Sequence, residues 1–182
     1  ITLYLSSSNP TLKYVTLNGN YTIMNGPYAA PGGGLALDHS DPTLSYVNIS
    51  GNIAPMLGSG IYLSFSNPSL NNVLISGNNS QYFGGGMALD YSNPILNQVT
   101  ISGNSGGFNG GGIYLNQSDP QIINSIISDN SAMSNSAIGI SEEGATPVIT
   151  YSNIEGGWIG EGNINTNPLF SNNNDYTLQE GS

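Results

Sequence analysis

Two aspartates, Asp38 and Asp90, stand at equivalent places two repeat steps apart, and a ring follows each: His39 after the first, Tyr91 after the second. Tyrosines occupy the position two residues earlier in alternate copies, at Tyr4, Tyr62 and Tyr114, with Ala36 and Ala88 between them. Carboxylates and spaced aromatic planes can build a carbohydrate-binding or inhibitor-like surface, because each ring offers an apolar face with a polar tip. Asp38, His39, Tyr62, Asp90, Tyr91 and Tyr114 are therefore the candidate ligand-binding residues. The same residues also suit a packed, solvated sheet face that binds nothing. For glycoside hydrolysis, Asp38 and Asp90 are the best available pair, since two steps of a parallel ladder separate them by roughly 10 Å, within the range of about 5 to 10 Å that such carboxylates span. His39 is the lone histidine and has no partner motif, so acid, base and stabiliser are not assembled and no catalytic residue is assigned.

Other chemistries find less support. The glycine blocks at 32–34, 84–86 and 110–112 lack a following Gly-Lys-Ser/Thr or a helix, so they read as bends and not as phosphate cradles. The Gly-Gly-x-Gly-x-Asp motif of calcium-binding nonapeptides is missing. No metal site and no cofactor is expected. A formal net charge of -10, with Lys13 the only Lys or Arg against eleven acidic residues, excludes nucleic acid as a partner, because phosphate binding needs cations to replace counterions. No run of about 20 apolar residues offers membrane insertion. The absence of Cys removes disulfide and thiol chemistry, and the Asn, Ser, Thr and Tyr content suits an extracellular or cell-surface setting.

What must position these side chains is a repeat. Pro42, Pro68, Pro94 and Pro120 recur every 26 residues, as do Gly32, Gly58, Gly84 and Gly110. Each copy carries a period-two apolar pair (Leu35/Leu37, Ile61/Leu63, Met87/Leu89, Ile113/Leu115) and a second one (Val47/Ile49, Val73/Ile75, Val99/Ile101). Ser125/Ile127 continues the second column less well, and a single apolar position, Leu44, Leu70, Leu96 or Ile122, lies between the pairs. Ser-Asn-Pro or Ser-Asp-Pro and Ser-Gly-Asn supply the turns, and no segment is long enough for a helix. Short strands at constant spacing predict a coil whose strands pair with their equivalents above and below, an all-β parallel β-solenoid. Six to seven coils of 26 residues would give a rod on the order of 30 Å long. Residues 1–150 are the expected coils and 151–182 the closing coil and cap of the same domain.

The rungs Gly-Gly-Gly-Ile-Tyr (110–114), Ser-Asn-Pro (92–94) and Val-Thr-Ile-Ser-Gly-Asn (99–104) resemble the right-handed, single-stranded parallel β-helix proteins of the pectate-lyase-like superfamily, especially large secreted or cell-surface bacterial members. Residues 151–182, with Trp158, Asn167-Pro-Leu-Phe170 and Tyr176, resemble their closing segment. That segment normally continues past Gly181-Ser182, and the chain opens at Ile1 without an initiator Met, so a matured or excised portion is expected. The resemblance implies the fold strongly and an activity weakly. The Asp-Asp and Gly-His-Gly signatures of the polygalacturonase branch are absent, as is the Arg or Lys base of pectate lyases.

Three further expectations concern the surface. The columns Asn9, Asp41, Asn67, Asn93, Asp119 and Asn20, Asn52, Asn78, Asn104, Asn130 read as turn-closing ladders ahead of ligand rows. A recurring apolar stripe (Tyr21, Ile23, Met24, Tyr28, Met56, Leu57, Tyr82, Phe83, Phe108, Met133) is either a third core wall or a strip for lateral association, and its regularity favours the core. The strand Ile1, Thr2, Leu3, Tyr4, Leu5 opens the solenoid with no capping helix, so it is the candidate edge for self-association, while Trp158, Leu169, Phe170, Tyr176 and Leu178 are the candidate caps of the other end. A structural, adhesive or filament-forming role without catalysis is the leading expectation, with polysaccharide binding or cleavage as the alternative.

Overall fold

The computed structural model describes residues 2–23, 32–141, 144–171 and 176–180. Ile1, Met24 and Tyr28 lie outside the described residues. Among those described, every regular element is a strand, and they stack as a parallel β-solenoid. The first sheet runs β1 (Leu3–Ser6), β4 (Leu35–Asp38), β7 (Ile61–Ser64), β10 (Met87–Asp90), β13 (Ile113–Asn116) and β16 (Ile138–Ile140), one strand per coil. The second sheet is built on β2 (Thr11–Lys13), β5 (Thr43–Ser50), β8 (Ser69–Ser76), β11 (Ile95–Ser102), β14 (Gln121–Ile123) and β17 (Val148–Thr150). β3 (Thr16–Asn18), β15 (Ile126–Ser128) and β18 (Asn153–Ile154) join its edges. A small third sheet holds β6 (Ile53–Ala54), β9 (Asn79–Ser80) and β12 (Ser105–Gly106). The repeat therefore becomes register: Leu35, Ile61, Met87, Ile113 and Ile138 pair in turn along the axis.

Inward side chains from the first two sheets fill the tube. Leu37, Leu63, Leu89 and Leu115 face Leu44, Leu70, Leu96, Ile49, Ile75 and Ile101, all 0–1% exposed. Within the eight-residue strands the alternation breaks once: Leu44, Val47 and Ile49 are buried because Tyr46 turns the chain with φ 55°. The same left-handed residue recurs at Asn72, Gln98 and Asn124, which explains why the single apolar position lies three residues from the next one. Ser125 stands where the preceding coils have Val15, Val47, Val73 and Val99, and Ser152 follows it in the next coil. The buried Ser125 hydroxyl accepts from the Val99 N–H at 3.1 Å and donates to the Ile123 carbonyl at 2.8 Å, so a polar side chain serves the gap between β14 and β15.

Both polar columns are ladders, as expected. Asn78 Oδ1 accepts from the backbone N–H and the side-chain amide of Asn52, each at 2.9 Å, while Asn78 Nδ2 donates to Asn104 Oδ1 and to the Ile49 carbonyl. From Asn52 to Asn130 this column is buried, which meets the rule that interior polar groups find partners. In the outer column, Asn67 Oδ1 accepts from the Asn93 N–H at 2.7 Å, and Asn93 Oδ1 from Asp119 at 2.6 Å. A third ladder passes from the Ser40 N–H to Ser66 Oγ, from Ser66 to Ser92 and from Ser92 to Ser118 at 2.9–3.0 Å.

The apolar stripe is a correction. Regular recurrence favoured a core wall, yet Tyr82 is 39% exposed, Phe108 48% and Met133 79%. The inner positions of the third sheet are taken by Ala54, Ser80 and Gly106, whose small side chains let this wall sit close against the core and leave the large stripe residues outside. The expected caps also divide. Trp158 packs against the end of the core. Tyr176 lies along the flank instead, with its hydroxyl 2.7 Å from where a Cβ on Gly103 would sit.

Candidate functional site

The outward face of the first sheet carries the groups singled out in the sequence. Register sets Ala36, Tyr62, Ala88 and Tyr114 in one line along the axis and Asp38, Ser64, Asp90 and Asn116 in the next. Large and small residues alternate in the first line, so each ring has room to lie over a methyl group instead of another ring. Ala36 and Ala88 are each 2% exposed although they belong to the outward set. A groove of about 270 Å³ runs across three coils here, lined by Leu57, Tyr62, Phe83, Ala88, Leu89, Asp90, Tyr114 and Asn116.

Aromatic stacks flank the outward face at the two ends of its strands, and the one containing Phe83 and Tyr114 lines the groove. On one side Phe83 stacks on Tyr114 with ring centres 4.7 Å apart and lies 6.2 Å from Phe108, which stacks on Tyr82 at 5.3 Å. The glycine bend 84–86 makes this possible by turning the chain sharply between the Phe83 loop and β10. Gly85 has no space for a side chain, since a Cβ would meet the Ser105 backbone at 2.4 Å. On the other side His39, Phe65 and Tyr91 form a continuous stack, with centres 5.1 and 4.9 Å apart. All three are left-handed, at φ 48°, 47° and 47°. That conformation is costly for residues with a side chain, and ring stacking offsets part of the cost.

Electrostatics on the floor are acidic and hydrogen-bonded. Asp90 Oδ1 accepts from Asn116 Nδ2 at 2.6 Å, and Asp38 Oδ1 lies 2.9 Å from His39 Nδ1. The Tyr4 hydroxyl donates to Asp38 Oδ2 at a long 3.5 Å. Burial, reinforced by the negative charges of Asp90 and Asp38, pushes the Tyr62 phenol above its ordinary value, against a smaller opposing hydrogen bond with Ser64. Its hydroxyl therefore stays protonated and able to donate throughout the neutral range. Among the described residues, no group of three or more His, Cys, Asp or Glu could hold a metal ion.

The structure thus brings Tyr62, Asp90 and Tyr114 into one groove; His39 and Tyr91 stack on either side of Phe65 at the end of the same strands, outside the groove lining, and Asp38 lies one register step beyond Ser64. Four contributors were missed as site residues. Phe65 completes that stack, and its place between His39 and Tyr91 was readable from the repeat. Asn116 continues the Asp column. Phe83 and Leu57 come from the apolar stripe, and only the fold of the glycine bend reveals that they face the groove. Three larger clefts, about 550, 460 and 370 Å³, lie near the closing segment; they include the cap candidates Trp158, Leu169, Phe170, Tyr176 and Leu178 but none of the six candidate ligand-binding residues.

At the opening edge, Thr2 Oγ1 donates to the Gly32 and Gly33 carbonyls and β1 pairs with β4 along one side. Leu3, Leu5, Leu12 and Leu17 of this coil pack on the core but remain half-buried.

Comparison with curated proteins and with solved structures found no match. The family model described as the right handed beta helix region does match, over residues 1–175. Nearly the whole chain is included, and the stacked parallel strands, in-register ladders and closed core are what such a match requires; the chain belongs to the right-handed β-helix family.

Proposed function

We propose that this β-helix is a non-catalytic, extracellular or cell-surface adhesive module that binds polysaccharide in the groove of the first sheet. The observation that carries the reading is the groove itself, with Tyr62 and Tyr114 on its floor, Phe83 on its wall and the Asp90–Asn116 pair supplying polar contacts. Apolar planes combined with a few convergent polar groups suit sugar rings, which have an apolar face and a polar rim. Binding is favoured over cleavage because each carboxylate is engaged, Asp90 by Asn116 and Asp38 by His39, and Ser64 stands between them in register. A glycan array probed with the wild-type chain and with the Tyr62→Ala/Tyr114→Ala double variant tests this. Retention of glycans by the wild type alone supports the reading, and equal retention by both contradicts it.

Self-association is a second reading, favoured by the exposed Tyr82, Phe108 and Met133 stripe. Sedimentation of the purified chain over a concentration series distinguishes it: a stable monomer at all concentrations removes it.

A further inference from the structure

At the end of the second sheet a recurring glycine gives way to an acid. Register aligns Gly19, Gly51, Gly77 and Gly103 there, and Asp129 takes the next place. It keeps the left-handed backbone of the column, with φ 55° against 61–67° for the glycines. Glu155 stands in the following coil, and its Oε2 accepts from the Asp129 N–H at 2.7 Å. Two carboxylates therefore lie together on this flank, and no cation of the chain is near them. Lys13, the only Lys or Arg, lies on β2 in the first coil, and His39 lies against Asp38 on the first sheet. Like charges so placed repel unless a counter-ion joins them.

Two buried hydroxyls beneath the closing segment point to the same place. Ile101 and Ile127 belong to the core, so the next residues along β11 and β15, Ser102 and Ser128, point outward. Both are nevertheless at most 4% exposed, because the closing segment lies over them. Ser76, the preceding member of their column, is hydrogen-bonded by the Tyr176 hydroxyl. The Ser102 and Ser128 hydroxyls have no partner among the described residues, and buried groups of that kind call for a water or an ion. Ser128 lines a cleft of about 240 Å³ with Asp129, Glu155, Asn165 and Asn167, and Ser102 lines the adjoining cleft that shares Asp129 and Asn167. Backbone donors orient both amide oxygens: Asn165 Oδ1 accepts from the Gly156 N–H at 3.2 Å and Asn167 Oδ1 from the Leu169 N–H at 2.9 Å. Each keeps a second lone pair.

We propose that this cleft binds a calcium ion through the Asp129 and Glu155 carboxylates, the Asn165 and Asn167 amide oxygens and the Ser128 hydroxyl. Coordinated water completes the shell and gives the Ser102 hydroxyl its partner. The donors are all oxygen, which favours a hard cation over zinc or copper. They come from irregular segments, which suits the about six to eight adaptable contacts of calcium better than the strict octahedron of magnesium. The ion ties the last coils to the closing segment, independently of the glycan groove on the first sheet. Only two of its ligands are acids and they come from separate stretches of chain, so no compact motif announces the site.

Calorimetric titration of the whole chain with calcium chloride tests the proposal. Saturable one-to-one binding is expected, with a Kd of about 10⁻⁴ to 10⁻³ M, the range of extracellular calcium modules, together with a rise in the thermal unfolding midpoint. Asp129→Gly restores the residue that the column has elsewhere, so it should fold; it should bind calcium at least tenfold more weakly and lose the thermal shift. Asp41→Asn removes one charge from the outer ladder and keeps an acceptor for the Asn67 N–H, so its calcium affinity should match that of the wild type. No saturable binding to the wild type overturns the proposal, as does unchanged affinity in Asp129→Gly. Equal weakening by Asp41→Asn and Asp129→Gly also overturns it, since that marks diffuse attraction to a chain of net charge -10. Magnesium chloride should bind at least tenfold more weakly than calcium, and binding within threefold overturns the assignment of the ion.

Discussion

Ala88 is the register partner of Tyr62, and although it belongs to the outward set of β10 it is only 2% exposed. The tyrosines of the neighbouring coils therefore roof the alanines, and the groove floor is a packed layer outside the core. Replacing Tyr62 by Ala should expose Ala36 and Ala88 and cost about 1–2 kcal/mol of stability, the share expected for a half-buried ring. Tyr62→Phe, which keeps the ring, should cost well under half of that. Urea denaturation midpoints of the two variants measure the difference.

The Tyr62 phenol adds a pH signature. Burial and then Asp90 raise its pKa in the folded chain, so the unfolded chain, ionising near the ordinary value of about 10, loses its proton first. Stability from this group is intact below about pH 10 and declines as pH rises toward the folded pKa. Tyr62→Phe should make unfolding free energy less steep with pH above about 10. Asp90→Asn should bring the Tyr62 transition down toward the ordinary value without restoring it fully, since burial remains. Ultraviolet titration of phenolate absorbance, with Tyr62→Phe to assign the transition, reads both shifts.

The buried asparagine column should be among the least tolerant positions. Asn78 serves the Asn52 N–H, the Asn52 amide, the Asn104 carbonyl oxygen and the Ile49 carbonyl at 2.9–3.0 Å. Asn78→Leu leaves several of these buried groups without partners, at about 1–3 kcal/mol each, so a loss of at least about 3 kcal/mol is expected. Thermal unfolding compares it with Asn71→Leu on the partly exposed face of β8, where the change should be small.

Glycine substitutions should separate packing from backbone strain. A Cβ on Gly107 would fall 1.8 Å from the Gln81 carbonyl oxygen, whereas one on Gly19 meets nothing within 4 Å. Gly19→Ala should therefore show only the cost of a left-handed alanine at φ 64°, about 1–2 kcal/mol. Gly107→Ala should cost more and shift Phe108 away from Tyr82, because the two backbones must separate. Chemical denaturation gives the energies, and near-ultraviolet circular dichroism reports the aromatic pair.

Much of this architecture was legible because a coil turns sequence spacing into contact. The constant step between prolines became the pairing of Leu70 with Leu96, and the Tyr and Ala alternation became the roofed floor. The candidates Tyr62, Asp90 and Tyr114 converge for the same reason. Phe83 escaped because its role depends on how far the chain turns at Gly84–Gly86, a backbone property that hydrophobic spacing does not encode. For the stripe around Tyr82 and Phe108 the sequence leaves core wall and lateral strip both open, with recurrence favouring the core because recurrence resembles burial. The small Ala54, Ser80 and Gly106 beside it were the signal that the third wall is closed by small side chains, with the large ones outside.

The most direct test of the account is calorimetric titration, into the wild-type chain and into the Tyr62→Ala/Tyr114→Ala double variant, of the glycan that the wild type retains best on an array, with folding of both verified by circular dichroism. The account predicts saturable binding to the wild type and at least a hundredfold weaker binding to the double variant. Equal affinity in the two folded proteins, or no binding to the wild type, would contradict it.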